Sequence, residues 1–390
     1  MTEFISPRNI YYGEGSLSKL EMILENIEAK KVYLLTDPVL KELGVIEPIV
    51  SILESRDIHL YLETNVLPEP SVDLGNEIVD EIRKGDYDLV IGIGGGSSID
   101  LAKAAAVLAK NKGSVNDYLN LTGTKKIIHQ GLPKVLIPTT SGTGAEVTDI
   151  AVFTLEDTKD VITHNYLLAD YVIIDPVLTY TLPRRITAAS GIDAMTHALE
   201  SYTSINATPL TDLLALEAIE KISKNIRTAV WNGSDKKARE EMALGSLLAG
   251  MSFYNAGVAG VHGLAYPLGG LFKIPHGESN AVLLPYVYDH IWPACIDKMV
   301  KVAVAMQLPT AGKSDREIAQ NVVRNLLNLV EDVGLPTTIK DYGIKDKDLQ
   351  RLAENGEKQK RLLSRSPKPL DFNSIIKIYE NAYNGVLVAY

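Results

Sequence analysis

Two histidine-bearing segments carry the most legible chemistry in this chain. Asp193 and His197 stand four residues apart in GIDAMTHALE, and His262 and His276 follow in VHGLAYPLGGLFKIPHGESN. At i and i+4 of a predicted helix, Asp193 and His197 share one face. That spacing suits two bonds to one ion, and it suits a local hydrogen bond as well. The second segment adds two imidazoles, each followed by glycine in a loop or helix-opening setting, and His276 is preceded by Pro275. Three imidazoles and one carboxylate make a full ligand set for a divalent cation. Such a nitrogen-rich set suits Fe2+ or Zn2+, where magnesium or calcium would favour oxygen. The sequence leaves iron and zinc both open. Neither needs to change oxidation state, because a Lewis acid polarising an alcohol or carbonyl oxygen is sufficient.

The first half offers a nucleotide site. In DLVIGIGGGSSIDLAKAAA, Gly94, Gly95 and Gly96 directly follow an apolar strand and open a helix. Glycines there permit a tight turn and close backbone approach, and a helix N-terminus with free N–H groups suits a phosphate. Ser97 and Ser98 are read as helix caps. Asp100, in the first turn, complements the helix dipole. The run departs from GxGxxG, and an ordinary βα turn is the competing reading. A second polar loop, PTTSGTGAEVT, follows the strand KVLIP and brings the hydroxyls of Thr139, Thr140, Ser141 and Thr143. Two such loops, each after a strand, match the two ends of a dinucleotide, although Thr/Gly loops also make plain turns. Asp37 ends a further strand. A carboxylate there accepts hydrogen bonds from ribose hydroxyls and repels a 2′-phosphate, favouring NAD over NADP; as the residue before Pro38 it also reads as a plain helix N-cap.

These residues need elements to position them. Branched, near-continuously apolar runs at 31–35, 58–62, 88–93, 134–138 and 171–175 alternate with helical patterns. That alternation implies a mainly parallel sheet covered on both faces. After Pro183 the pattern becomes helical, with apolar residues at three- and four-residue spacing. The expected division is an α/β dinucleotide-binding domain over 1–182 and an all-helical metal-binding and substrate domain over 183–390.

Composition narrows the function. At 390 residues, with 46% hydrophobic and 23% charged, the chain is long enough for two cores. A net charge of −10 and the lack of long basic blocks argue against nucleic acid. No apolar run approaches the roughly 20 residues of a membrane span, and the N-terminus does not read as a signal peptide. One cysteine, Cys295, cannot form an internal disulfide and fits a reducing compartment, so a cytoplasmic setting is expected. Cys295 reads as a small buried residue, and His59, His129, His164 and His290 as surface or structural positions.

The segments GGGSSID, PTTSGTGAEVT, IDPVLT, LPRRITAASGIDAMTHALESY and HGLAYPLGGLFKIPHGESNAVLLP resemble, in order, those of the iron-containing (group III) alcohol dehydrogenases. The similarity spans essentially the whole chain. The resemblance implies a Rossmann-like N-terminal domain and an all-helical C-terminal domain, the dehydroquinate synthase-like fold, with a metal at the cleft between them. It implies that Asp193, His197, His262 and His276 hold the metal and that Gly95, Gly96 and Ser97 contact the pyrophosphate. It further implies Thr139 and Thr140 beside the cofactor, Asp37 at the ribose, and Lys159 facing the cofactor, where charge alone would make that lysine solvated surface. A homodimer or larger homo-oligomer is expected on the same ground. The implied reaction is reversible hydride transfer between a primary alcohol, or its aldehyde, and NAD(H). Polyol and hydroxyacid dehydrogenases, and a metal- and NAD-dependent cyclising synthase, are the rival readings. Two positions depart from the family pattern. Ala145 stands where serine is common, and Tyr266 stands where many members carry a second histidine near the nicotinamide. Tyrosine, with a reference pKa near about 10, is a poorer proton shuttle at neutral pH.

Overall fold

The computed structural model describes residues 3–155 and 159–388. It resolves into two compact units. One comprises Ser6–Thr140 and Gly144–Tyr180. The other runs from Thr181 onward and includes Ser141–Thr143 and a short segment ending at Ile5.

The α/β unit contains β1 (Asn9–Tyr12), β2 (Lys31–Leu35), β3 (His59–Glu63), β4 (Leu89–Gly94), β5 (Lys134–Pro138), β6 (Ile150–Thr154), β7 (Lys159–Thr163) and β8 (Tyr171–Ile174). Six of them form one sheet in the order β1-β8-β5-β4-β2-β3, with every pair parallel. β4 and β5 are buried along their whole length, as continuously apolar strands between two helical layers must be. Leu34, Ile91, Ile93, Val135 and Ile137 join Leu20, Ile23, Ile49 and Leu53 in one of the unit's cores. Proceeding from β2, the chain adds β3 on one side and then β4 on the other. The order therefore reverses between β2 and β4, and the carboxyl ends of strands at such a switch point form the crevice where α/β sheets bind ligands. The five predicted strands are present with ends moved by at most a residue. Two features were not foreseen, the short edge strand β1 and the antiparallel hairpin β6–β7.

The second unit is built from helices. Those that position the site are Arg184–Thr203, Pro209–Trp231, Lys236–Ala256, Gly260–Phe272 and His276–Ile291. Arg184–Thr203 is buried on nearly every side beyond its first turn, polar residues included, so it reads as the unit's central helix. Gly260–Phe272 and His276–Ile291 carry Pro267 and Pro285 in their interiors. Those prolines, with Gly263, Gly269 and Gly270, mask the helical character of the segment in the sequence. No single described helix is long and apolar enough to cross a membrane.

Candidate active site

Asp193, His197 and Glu200 occupy one face of Arg184–Thr203, and all three are buried. His262 lies in the first turn of Gly260–Phe272, and His276 opens the next helix after Pro275 as N-cap. Gly277 explains one of the two HG pairs: a Cβ there would lie 2.5 Å from the backbone oxygen of Ala189. Only glycine lets the His276 helix start so close to the helix bearing Asp193.

The ligand atoms converge. Asp193 Oδ1 is 3.7 Å from His262 Nε2 and 3.7 Å from His276 Nε2, while His197 Nε2 is 3.0 Å from His262 Nε2. Two ligands on one ion at about 2.1 Å stand no more than about 4.2 Å apart, so each of these separations fits a shared cation. Asp193, His262 and His276 together form a group able to hold a metal. The chemistry of the set points the same way. Asp193 Oδ1, His262 Nε2 and His276 Nε2 surround Asn280 Nδ2 at 2.7, 3.1 and 3.3 Å. An amide has two hydrogens to offer these three acceptors. Asn280 Oδ1 is buried without a hydrogen-bond partner. This is a donor-poor, acceptor-rich pocket, the arrangement a cation completes.

Glu200 was missed in the sequence. Its Oε2 lies 2.6 Å from His262 Nδ1, and its Oε1 accepts from Val261 N at 2.5 Å. A carboxylate on Nδ1 fixes the tautomer that leaves Nε2 free to bind. The signal was present, since Glu200 follows Asp193 by seven residues and His197 by three on the same helical face. Asn280 was missed as well; it stands four residues after His276 on the same helix. His197 stacks between Phe253, with ring centroids 4.3 Å apart, and His262, at 4.6 Å. Burial pushes its pKa down to about 4 against the pull of Asp193, so its imidazole is neutral at physiological pH. Burial also opposes ionisation of Asp193, but the three imidazoles and the Asn280 amide outweigh it and hold its carboxyl below the usual range. Tyr266 sits one turn beyond His262, half-buried, its ring centroid 6.2 Å from that of His276.

In the α/β unit the predicted cofactor residues gather at the switch point. Gly94 ends β4 with φ +148°, and a Cβ there would lie 2.6 Å from Ser98 Oγ and 3.6 Å from Asp37 Oδ2. Thr139 N donates to Gly94 O at 3.0 Å, and Thr140 lies beside Gly95. The ends of β2, β4 and β5 thus present Asp37, Gly94–Gly96 and Thr139–Thr140 together. Asp37 is also the N-cap read as its alternative role: Oδ1 accepts from Leu40 N at 2.9 Å, leaving Oδ2 toward Gly94.

Several expectations need correction. Gly95, without a side-chain bond, is the N-cap of Gly96–Leu108; Ser97 and Ser98 lie inside its first turn. Ser97 Oγ instead accepts from Glu69 N at 3.2 Å. Lys159 is not solvated surface by itself, because its Nζ pairs with Glu69 Oε1 at 2.8 Å. Asp100 does more than complement a dipole. It accepts from Val152 N at 3.0 Å and pairs with buried Lys103 at 2.9 Å. Lys103 reaches Ala145 O and Thr148 Oγ1 at 2.7 and 3.1 Å, and also Ile150 O, tying the helix to the turn after the threonine loop. Cys295, by contrast, is buried as expected, with its thiol pushed up to about 11 by that burial, and is unsuited to nucleophilic chemistry.

The two units correspond to two described protein segments. Residues 7–176 match the description "Iron-containing alcohol dehydrogenase" and residues 187–383 match "Fe-containing alcohol dehydrogenase family, C-terminal". The chain belongs to the iron-containing (group III) alcohol dehydrogenase family. It is 50% identical over 388 residues to long-chain-alcohol dehydrogenase 1 of Geobacillus thermodenitrificans, covering 100% of this chain and 98% of that protein. Sulfoacetaldehyde reductase of Bilophila wadsworthia is 35% identical, covering 96% of this chain and 97% of that protein. Among solved structures, a 1,3-propanediol oxidoreductase superposes with a TM-score of 0.94 at 33% identity, covering 98% of this chain and all of the other (100%).

Proposed function

We propose that this protein is an NAD(H)-dependent dehydrogenase that interconverts a primary alcohol and its aldehyde. The observation that carries the reading is the convergence of Asp193, His262 and His276 on one donor-poor point, with His197 against His262. A divalent cation bound there, Fe2+ with Zn2+ as the alternative, would supply the Lewis acidity that polarises the substrate oxygen.

The chain's own residues prepare that site. Glu200 holds the proton on His262 Nδ1, so Nε2 faces the pocket as an acceptor. His197 stays neutral by burial, and Asp193 contributes the one negative charge at that point. In the α/β unit, the backbone N–H groups opening Gly96–Leu108 offer a pyrophosphate site. Asp37 would accept from the adenosine ribose and disfavour a 2′-phosphate, making NAD the cofactor over NADP. NAD, when bound, would supply the hydride acceptor for the alcohol. Burial raises the pKa of Tyr266, so its hydroxyl stays protonated at neutral pH and is available to hydrogen-bond the substrate.

The family's named activities differ in substrate, from long-chain alcohols to 1,3-propanediol and sulfoacetaldehyde. The test is NADH formation by the metal-loaded protein across a series of primary alcohols, repeated with NADP. Turnover with NAD and weak or no turnover with NADP is expected. Failure with every primary alcohol, and with every aldehyde in reverse, would overturn the reading. A cytoplasmic homodimer completes the proposal, and sedimentation of the purified protein as a monomer would contradict its oligomeric part.

A further inference from the structure

Two of the helices that carry the candidate ligands meet along one line. On Arg184–Thr203, Arg185, Ala189, Asp193 and His197 recur every four residues and so form one slowly winding stripe. The start of His276–Ile291 is docked on that stripe at three heights. Asn280 Nδ2 donates to Asp193 Oδ1 at 2.7 Å in the ligand pocket. One turn back, Gly277 passes so close to Ala189 that a Cβ would lie 2.5 Å from its backbone oxygen. A further turn back, the Arg185 guanidinium meets the Glu278 carboxylate through two bonds, Nε to Oε1 at 2.6 Å and Nη2 to Oε2 at 2.7 Å.

The reaction described above does not use this outer pair. As an acidic residue in a first helical turn, Glu278 would complement the helix dipole wherever its carboxylate pointed. Its side chain is instead only 4% exposed and is neutralised by an arginine 93 residues away in the sequence. Exposed ion pairs are ordinarily worth little. Here the carboxylate is buried, and a two-bond fork fixes angle as well as distance. Loss of the arginine would leave that buried charge without its counter-ion.

His276, two residues before Glu278, is the ligand that most needs such a hold. Its side chain is 32% exposed, against 2% for Asp193, 3% for His262 and 6% for His197. Packing encloses those three. His276 begins its helix only three residues after Lys273, which lies in the left-handed region at φ +57°.

We propose that Arg185 and Glu278 are positioning residues for the metal site: their latch sets where His276 stands relative to Asp193, and so governs how tightly the site holds its cation. This rests on the metal-binding reading above and adds to it the pair that holds the most exposed ligand in place. A ligand set works only when its members are held to within about 0.5 Å, and the latch acts on the first turn of the helix that His276 opens.

The experiment titrates Co2+ into chelator-stripped protein, reading affinity by competition and ligand geometry by visible absorption. Arg185→Met removes the latch from its exposed side, where the fold has little at stake. It should weaken Co2+ binding about tenfold, the lower end of the range for groups that orient metal ligands, and alter the visible bands. Arg185→Lys, with one point charge for two oxygens, should recover part of the affinity. Glu278→Gln should match Arg185→Met, and the double variant should bind no more weakly than the poorer single one, because both changes remove the same contact. An ion pair that merely stabilises the fold would shift the melting temperature and leave Co2+ affinity and spectrum at their wild-type values. That result, or additive losses in the double variant, would overturn the latch while leaving the metal site intact. Failure of the wild type to bind Co2+ or Zn2+ would overturn the metal-site reading and the latch with it.

Discussion

Glu200 Oε2 lies 2.6 Å from Nδ1 of His262, with both side chains buried. The contact joins two helices and decides which imidazole nitrogen is available to a cation. Replacing Glu200 by Gln keeps the shape and removes the charge that holds Nδ1 protonated. Metal affinity should fall by about 10- to 100-fold. Competition with a chromophoric chelator measures it, and an unchanged affinity would remove Glu200 from the account.

Asp37 has two separable roles. As N-cap it stabilises the helix that follows by about 1 kcal/mol, and as a carboxylate beside Gly94 it would exclude a 2′-phosphate. Asp37→Ser retains the cap and removes the charge. NADP-dependent kcat/KM should rise relative to the NAD value, with thermal stability nearly unchanged. A stable variant with an unaltered cofactor ratio would leave Asp37 a helix cap only.

How far these roles were legible depends on the kind of signal each residue carries. Asp193 and His197 announce themselves because helical periodicity alone places them on one face. β2, β4 and β5 are legible for a related reason, since buried parallel strands are continuously apolar. Tertiary pairing leaves fainter marks. Glu200 is one more acidic residue in a helix until folding brings it to His262, and Asn280 likewise until it meets Asp193. Gly260–Phe272 hides its helix behind Pro267 and its glycines because packing, not propensity, stabilises it. β1 and the β6–β7 hairpin are short, and their pairing is not written in local periodicity.

Glu146 supplies a pH prediction in the other unit. Burial raises its pKa from 4.5 to about 7. In the unfolded chain the group ionises near 4.5, so between the two values the native state holds the extra proton. Stability from this group is fully present below the unfolded pKa and is lost as pH rises through about 7. The whole effect is at most about 3 kcal/mol. Glu146→Gln should therefore gain in melting temperature over the wild type at alkaline pH and much less near pH 5. A constant difference across that range would contradict the buried, protonated state.

Tyr266 stands where a histidine would titrate near neutrality, and burial raises its pKa further. Tyr266→Phe should therefore lower kcat/KM through lost hydrogen bonding while leaving the acidic limb of the pH–rate profile in place. Loss of that limb would assign Tyr266 the proton transfer that the structure argues against.

The central claim, that Asp193, His197, His262 and His276 hold the ion on which alcohol oxidation depends, is tested most directly by titrating metal into chelator-stripped protein. Alcohol-dependent NADH formation and bound metal should rise together and saturate at a single equivalent per chain, and Asp193→Ala should lose both while still binding NAD. Full NADH formation in the stripped protein, or unaltered metal binding in Asp193→Ala, would contradict the account.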